Sequence, residues 1–391
     1  MANAYIVGAL RTATGKNRGL LSRTHPIDLG AELIDGLLEQ TGINPTAVDD
    51  LIFGCVSQYG AQTGNIARSV ALSSNLGESV PGVTVDRQCG SAQQAIQFAA
   101  QAVMSGTQDV VIAGGVESMS QVPMFSAVSD AIEKGRGAPG GERMSIKYPG
   151  VEFSQFAGAE LLAKQYGLTR EDLDTFSYQS HEKAAKATKD GLLKAEILPM
   201  NVTDENGDAV LHDKDEGIRY NASLEAQQSL NTLVPDGVVT AGSASQISDG
   251  AAAVMIANEE GIKKYGLKPR ARITTLTVVG SDPVVMLGGP IPATQQALEK
   301  AGLTIDDIDL FEVNEAFAPV PVAWAKAVGA DMAKLNVNGG AIANGHPLGC
   351  TGAKLMTALL NELERRKARY GLLTICEGGG TANCTIIERL D

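Results

Sequence analysis

The sequence predicts an α/β protein of two similar halves, with mixed or parallel sheets covered by helices and a pseudo-twofold between the halves. Three observations carry this. ELIDGLLEQTGINPTAVDDLIFGCV (32–56) and TQQALEKAGLTIDDIDLFEVNEAF (294–317) share one pattern of helix, glycine, short acidic connector and apolar strand. Each copy then resumes with a cysteine, a helical run and another apolar strand, and the copies stay in step: Asp50 to Cys89 is 39 residues, Asp309 to Cys350 is 41. Finally, strands that alternate with helices in this way belong to sheets covered on their faces by helices.

In chain order, AYIVGALRTATGK reads as a strand followed by a polar loop, without the parts of a signal peptide. Residues 32–56 give a helix and a strand. The segment that Cys89 opens places Ala92, Ala95, Ile96, Ala99, Ala100 and Val103 at helical spacing, and the strand DVVIAGG follows. Residues 118–247 are richer in charge and glycine, with GRGAPGGER, DENGD and HDKDEG as turn clusters, and read as an inserted loop region of the kind that carries binding determinants. The second half runs through HPLGCTGAK and LMTALLNELERR to LLTICEGGG. The expected division is 1–117 plus 248–269 for the N-terminal half, 118–247 for the loop domain and 270–391 for the C-terminal half. The functional site is expected where the halves meet.

Composition narrows the function. With 391 residues and 44% apolar side chains, the chain is long enough for a large core or two sub-domains. A net charge of -13 argues against general binding to nucleic acid or to an acidic membrane surface. No apolar run approaches a membrane span, and a cytoplasmic location is expected. Five cysteines without a CxxC pair point to free thiols, and none of the four histidines has zinc-site spacing.

Three glycine-bordered settings carry candidate chemistry. In VDRQCGSAQQA, Cys89 follows an alternating strand at the start of a helix, where unpaired backbone N–H groups favour a thiolate and a lowered pKa; taken alone it reads equally as a small residue at a tight turn. In GGAIANGHPLGCTGAK, His346 stands between glycines with little cover from its neighbours, as a base requires, although a histidine bonded to a loop backbone has the same signature. In TICEGGGTAN, Cys376 ends a strand and Gly378, Gly379 and Gly380 follow, where backbone N–H groups can turn toward a substrate oxygen. Cys55, Cys350 and Cys384 read as packing. Asn314 and Glu315 end a strand in FEVNEAFAP, a place to hold waters or orient a base. GRGAPG (135–140) matches a dinucleotide pattern formally but follows no strand.

Together these segments resemble the thiolase family, the coenzyme A-dependent acetyltransferases that make or cleave 3-oxoacyl thioesters. The match runs from AYIVGALRTATGK through NEAFAP and NVNGGAIANGHPLGCTGAK to CEGGG. The resemblance implies a thiolase fold, two βαβαβαββ halves in five layers (αβαβα) with a loop domain over coenzyme A, and a homodimer or homotetramer. It implies Cys89 as the nucleophile, His346 as its base and Cys376 as the acid/base at the α-carbon. Oxyanions would be met by His346 with a water held by Asn314, and by the backbone N–H groups of Cys89 and Gly378. Ser245 and Arg219 match positions that contact coenzyme A. It further implies 3-oxoacyl-CoA, acetyl-CoA and CoA as reaction partners, with coenzyme A as co-substrate, no tightly bound cofactor and no metal.

Departures from the family pattern at Ala92, Gln155, Phe156 and Asn344 are expected to reshape the acyl pocket. VDRQCGSAQQA and SQISDGAAAV look like actinobacterial thiolases of steroid or other bulky acyl-CoA breakdown. The alternatives are a decarboxylating ketoacyl synthase, against which Cys376 and CEGGG speak, and a non-catalytic acyl-CoA-binding member.

Overall fold

Strands buried on both faces should read as unbroken apolar runs, and the central strands here do. The structure, a computed structural model, describes residues 2–390. Its first half contributes β1 (Ala4–Thr12), α1 (Pro26–Thr41), β2 (Asp50–Gly54), α2 (Ile66–Ser73), β3 (Gly82–Val85), α3 (Ser91–Ser105) and β4 (Val110–Ser118). A long excursion holds α4 (Gln155–Gln165) and α5 (Arg170–Lys189), after which β5 (Ser248–Ala257) returns to the sheet. The second half contributes β6 (Ala271–Gly280), α6 (Pro290–Ala301), β7 (Leu310–Val313), α7 (Pro319–Val328), α8 (Thr351–Arg366), β8 (Tyr370–Glu377) and β9 (Thr381–Arg389). No helix among the described residues is long and apolar enough to cross a membrane.

The duplication is visible in strand order. The first half runs β3-β2-β4-β5-β1 and the second runs β7-β8-β9-β6, the same order with its outermost strand reduced to a single bridge between Phe311 and Leu335. The two half-sheets are continuous, because β1 and β6 pair antiparallel at Ala4↔Ile273, Tyr5↔Arg272 and Ile6↔Ala271. Alternation along β5 sends Ala251, Ala253 and Met255 to one face and Ala252, Val254 and Ile256 to the other.

Those faces define five layers. On one side α1 and α2 cover the first half-sheet through Leu33, Leu37, Ile66 and Val70. Between the half-sheets lie α3, through Ala95, Ile96 and Ala99, and α8, through Met356, Leu359 and Leu363. On the far side α6 and α7 cover the second half-sheet through Ala293, Ala297 and Trp324. The expected αβαβα arrangement is thus what the chain adopts.

Contact between the two central helices is the feature that positions the site. A Cβ at Gly352 would stand 2.2 Å from the backbone nitrogen of Gln93, so α3 and α8 touch at their first turns. Glycine is required there by the close approach. The excursion behaves differently from the core: α4 packs on α7 through Ala159 and Leu162, whereas the helices Ser126–Glu133 and Glu142–Lys147 bury no residue.

Candidate active site

The turn before α3 presents Cys89. Gln88 adopts φ 49°, in the left-handed region, and Ser91 Oγ holds the turn by donating to Gln88 O at 2.6 Å and accepting from Arg87 N–H at 2.9 Å. Cys89 therefore stands two residues ahead of the first helical residue rather than opening the helix, and it is half-buried while the other four cysteines are buried. The expected lowering of its pKa is not what the surroundings produce. Burial, then the charge that Glu377 carries when ionised, push the thiol up to about 12, outweighing the backbone N–H that favours the anion. Resting Cys89 is a thiol and needs a base.

His346 shares a cavity with Cys89. It is 3% exposed, so the open setting read from its glycine neighbours is corrected: the imidazole is enclosed and reaches the site only through the cavity. Gly345, at φ 80°, brings the loop so close that a Cβ there would stand 2.8 Å from Ser248 Oγ. Nδ1 lies 2.7 Å from Thr351 Oγ1, whose hydroxyl donates to Pro347 O at 2.9 Å. Thr351 must therefore accept from an Nδ1–H, which leaves Nε2 as the unprotonated nitrogen, its lone pair the acceptor for an N–H donor. Asn314 Nδ2 faces that nitrogen at 3.3 Å. Burial, reinforced by the charge of Lys354, lowers the His346 pKa to about 3, so the ring is neutral.

Cys89 and His346 line one cavity of about 220 Å³ with Ser245, Gln155, Phe156, Phe317, Met119 and Ile247. Phe156 stacks edge-on against Phe317 with ring centroids 5.6 Å apart. Cys376 does not line this cavity: it is fully buried, its thiol pushed well above the ordinary range by burial, then by Cys89 and Glu377. Asn314 Oδ1 is buried without a partner, a place for a water. Gly378 adjoins the turn of Cys89, since a Cβ there would come 3.1 Å from Gln88 Oε1. Arg219 is exposed and does not line the cavity; its backbone N–H donates to His181 Nδ1 at 3.2 Å.

Of the four departures, Gln155 and Phe156 line the cavity and the other two do not. Ala92 is fully buried between the half-sheets. Asn344 faces an interior cavity of about 20 Å³ with Arg11, Glu196 and Lys354; its Oδ1 has no partner and its carbonyl accepts from Lys354 Nζ at 2.7 Å.

Sequence reasoning missed three supporting residues. Thr351 fixes the imidazole tautomer. Glu117, fully buried, accepts from the N–H groups of Val56, Ser57 and Gly349 and from Gln62 Nε2, fastening the His346 loop to the first half. Glu377 lies against Gly90, its place between Cys376 and the glycines being the one available signal. Among the described residues no group of three or more His, Cys, Asp or Glu could hold a metal ion.

Residues 4–260 match the model of the thiolase N-terminal domain and 267–389 that of the thiolase C-terminal domain. The chain belongs to the thiolase family. It is 55% identical, over all of its own length and 95% of the relative's, to the steroid 3-ketoacyl-CoA thiolase FadA6 of Mycobacterium tuberculosis. Two further thiolases, the 3-ketoacyl-CoA thiolases of Aliivibrio fischeri and Citrobacter koseri, are 42% and 43% identical over the full length of both chains.

Proposed function

We propose that this thiolase is an acetyl-CoA acyltransferase that cleaves 3-oxoacyl-CoA with CoA, or runs the reverse condensation, by ping-pong transfer through Cys89. The observation that carries the reading is the placement of neutral His346 and half-buried Cys89 on one cavity, with Nε2 unprotonated and accepting from Asn314 Nδ2–H. In this reading Nε2 takes the Cys89 proton as sulfur attacks the 3-oxo carbon. The bond between the α- and β-carbons then breaks, and Cys376 protonates the departing acetyl-CoA carbanion. Free CoA finally takes the acyl group from Cys89.

Each carbonyl that becomes an oxyanion needs prearranged donors. At one, these are protonated His346 Nε2 and a water held by Asn314; at the other, the N–H groups of Cys89 and Gly378. The strand-end position of Asn314 and the closeness of Gly378 to Gln88 support both assignments. Coenzyme A acts as co-substrate with no tightly bound cofactor. Ser245 sits on the cavity wall to meet its pantetheine arm, and exposed Arg219 meets its nucleotide end, with residues 118–247 as the cover over it. Acetyl-CoA is the other product.

The name of the mycobacterial relative and the aromatic wall of Phe156 and Phe317 support a bulky, ring-bearing acyl group. We place the enzyme in the cytoplasm as a homodimer or homotetramer; β3, at the sheet's outer edge with Val83 exposed, supports self-association. Decarboxylating synthase chemistry is not favoured. A thiolysis screen of 3-oxoacyl-CoAs from short-chain to polycyclic, read as kcat/KM, tests the reading. Turnover of ring-bearing substrates above acetoacetyl-CoA is expected, and failure with every 3-oxoacyl-CoA would overturn it.

A further inference from the structure

Two buried acceptors meet behind Cys89. Glu377 Oε1 and Asn383 Oδ1 are both fully buried and have no donor. Both converge on Gly90, where a Cβ would stand 1.9 Å from the first and 3.0 Å from the second. The other carboxyl oxygen, Oε2, accepts from Thr381 Oγ1 at 2.6 Å, and Asn383 is turned so that its Nδ2 donates to Gln94 Oε1 at 3.1 Å. An ionised carboxylate would draw the amide N–H toward itself, whereas a carboxylic acid donates to the amide oxygen. The observed turn of Asn383 is the one that suits the acid.

We infer that Glu377 is protonated in the resting enzyme, its Oε1–H directed to Asn383 Oδ1, and that losing this proton to solvent turns over both the Asn383 and Gln94 amides and sets a negative charge against Cys89. Glu377 is then a positioning residue that acts through the thiol. The inference deepens, and rests on, the reading of Cys89 as acyl acceptor.

The groups that face Glu377 are Arg87 and Cys89 from the turn before α3, Thr381 and Asn383 on β9, and Cys376 on its own strand; Asp86 acts on Cys89, and Gln94 on α3 is reached through Asn383. Burial is the largest influence and raises the carboxyl to about 7, against the Thr381 hydrogen bond, the charge of Arg87 and the backbone N–H of Asn383. Deprotonation as pH rises past that point places an anion beside Cys89 and completes the rise of its thiol to about 12, so the nucleophile is weakened on the alkaline side.

The test is the pH dependence of Cys89 alkylation by iodoacetamide, located by peptide mapping, in the wild type, Glu377→Gln and Thr381→Val. Wild type should show an inflection near pH about 7. Glu377→Gln should lose it, with a thiol midpoint lower by about one unit. Thr381→Val, which removes a hydrogen bond favouring the anion, should move the inflection upward. Infrared spectra of the wild type should also show a protonated-carboxyl band that fades across the same range and is missing in Glu377→Gln. Superimposable alkylation profiles for wild type and Glu377→Gln, or an inflection unmoved in Thr381→Val, would overturn the inference. Because alkylation needs no acyl-CoA, a failure of the thiolase reading appears separately, as an acyl adduct on some residue other than Cys89.

Discussion

The two halves share a strand order but divide the chemistry. The turn before α3 in the first half opens on the cavity and exposes Cys89; its counterpart before α8 places Cys350, 1% exposed, against the core. What the second half contributes instead is the loop upstream of that cysteine, which crosses onto the first half. There Gly349 O would meet a Cβ on Gly54 at 2.3 Å and on Gly115 at 2.0 Å, and Gly349 N–H donates to Glu117 at 2.8 Å. Duplication thus supplies two equivalent helix entries, one open on the cavity, and in the proposed reaction the loop before the other carries the base across. Cysteine identity alone does not distinguish them.

The largest expected effect tests that asymmetry directly. Cys89→Ser should lower kcat/KM by about a thousandfold or more, because a serine hydroxyl is far harder to deprotonate. Cys350→Ala should stay within about twofold and cost about 1 kcal/mol of stability through a small cavity. Intact-protein mass spectrometry after incubation with a 3-oxoacyl-CoA should find the acyl adduct on Cys89; an adduct on Cys376 would reverse the two roles.

Cys376→Ala should give a different defect: proton exchange at the α-carbon of acetyl-CoA is lost while acylation of Cys89 survives in part. Deuterium exchange alongside acyl-adduct formation separates the two, and equal loss of both would show that the second thiol also sets up the first.

Smaller effects follow from how the halves touch. Gly115→Ala forces a methyl into the Gly349 carbonyl and should cost about 1–3 kcal/mol, with a fall in kcat/KM as the His346 loop is displaced. Gly280→Ala, at the end of β6 with open space around it, should change the denaturation midpoint little. The finest comparison is within the acyl pocket: Phe156→Ala should alter the ratio of kcat/KM for ring-bearing substrate to that for acetoacetyl-CoA. Asn344→Leu should leave that ratio unchanged, because Asn344 faces the interior cavity beside Lys354.

Fold and site were legible to different depths. Helix and strand order could be read because the repeated pattern of helix, glycine, acidic connector and strand is local. The joining of β1 to β6 could not, since it pairs residues 4–6 with 271–273, far apart in sequence and with no local signal. Cys89, His346 and Cys376 stood out by their glycine borders, yet their electrostatics did not: the lowered Cys89 pKa expected from a helix start gave way to burial and Glu377, which folding alone brings there. Thr351 and Glu117 were invisible as partners for the same reason. Asn344 misled, because position two before a key histidine says nothing about which side of the loop faces substrate.

Strand β1, the first of the described strands, waits for both of its long neighbours until residue 273 has been made. Its neighbours on either side are β5 and β6, so at Tyr5 the pairing partners are Ala257 and Arg272. A nascent chain leaving the ribosome therefore carries an apolar strand without either neighbour until more than half of the protein has been synthesised. Pairings of such long sequence separation are slow to form and leave strand edges open to aggregation. Slow closure of β1 during synthesis, and poor recovery of fragments ending before Ala257, are the expected consequences of closing a duplicated sheet through so distant a pairing.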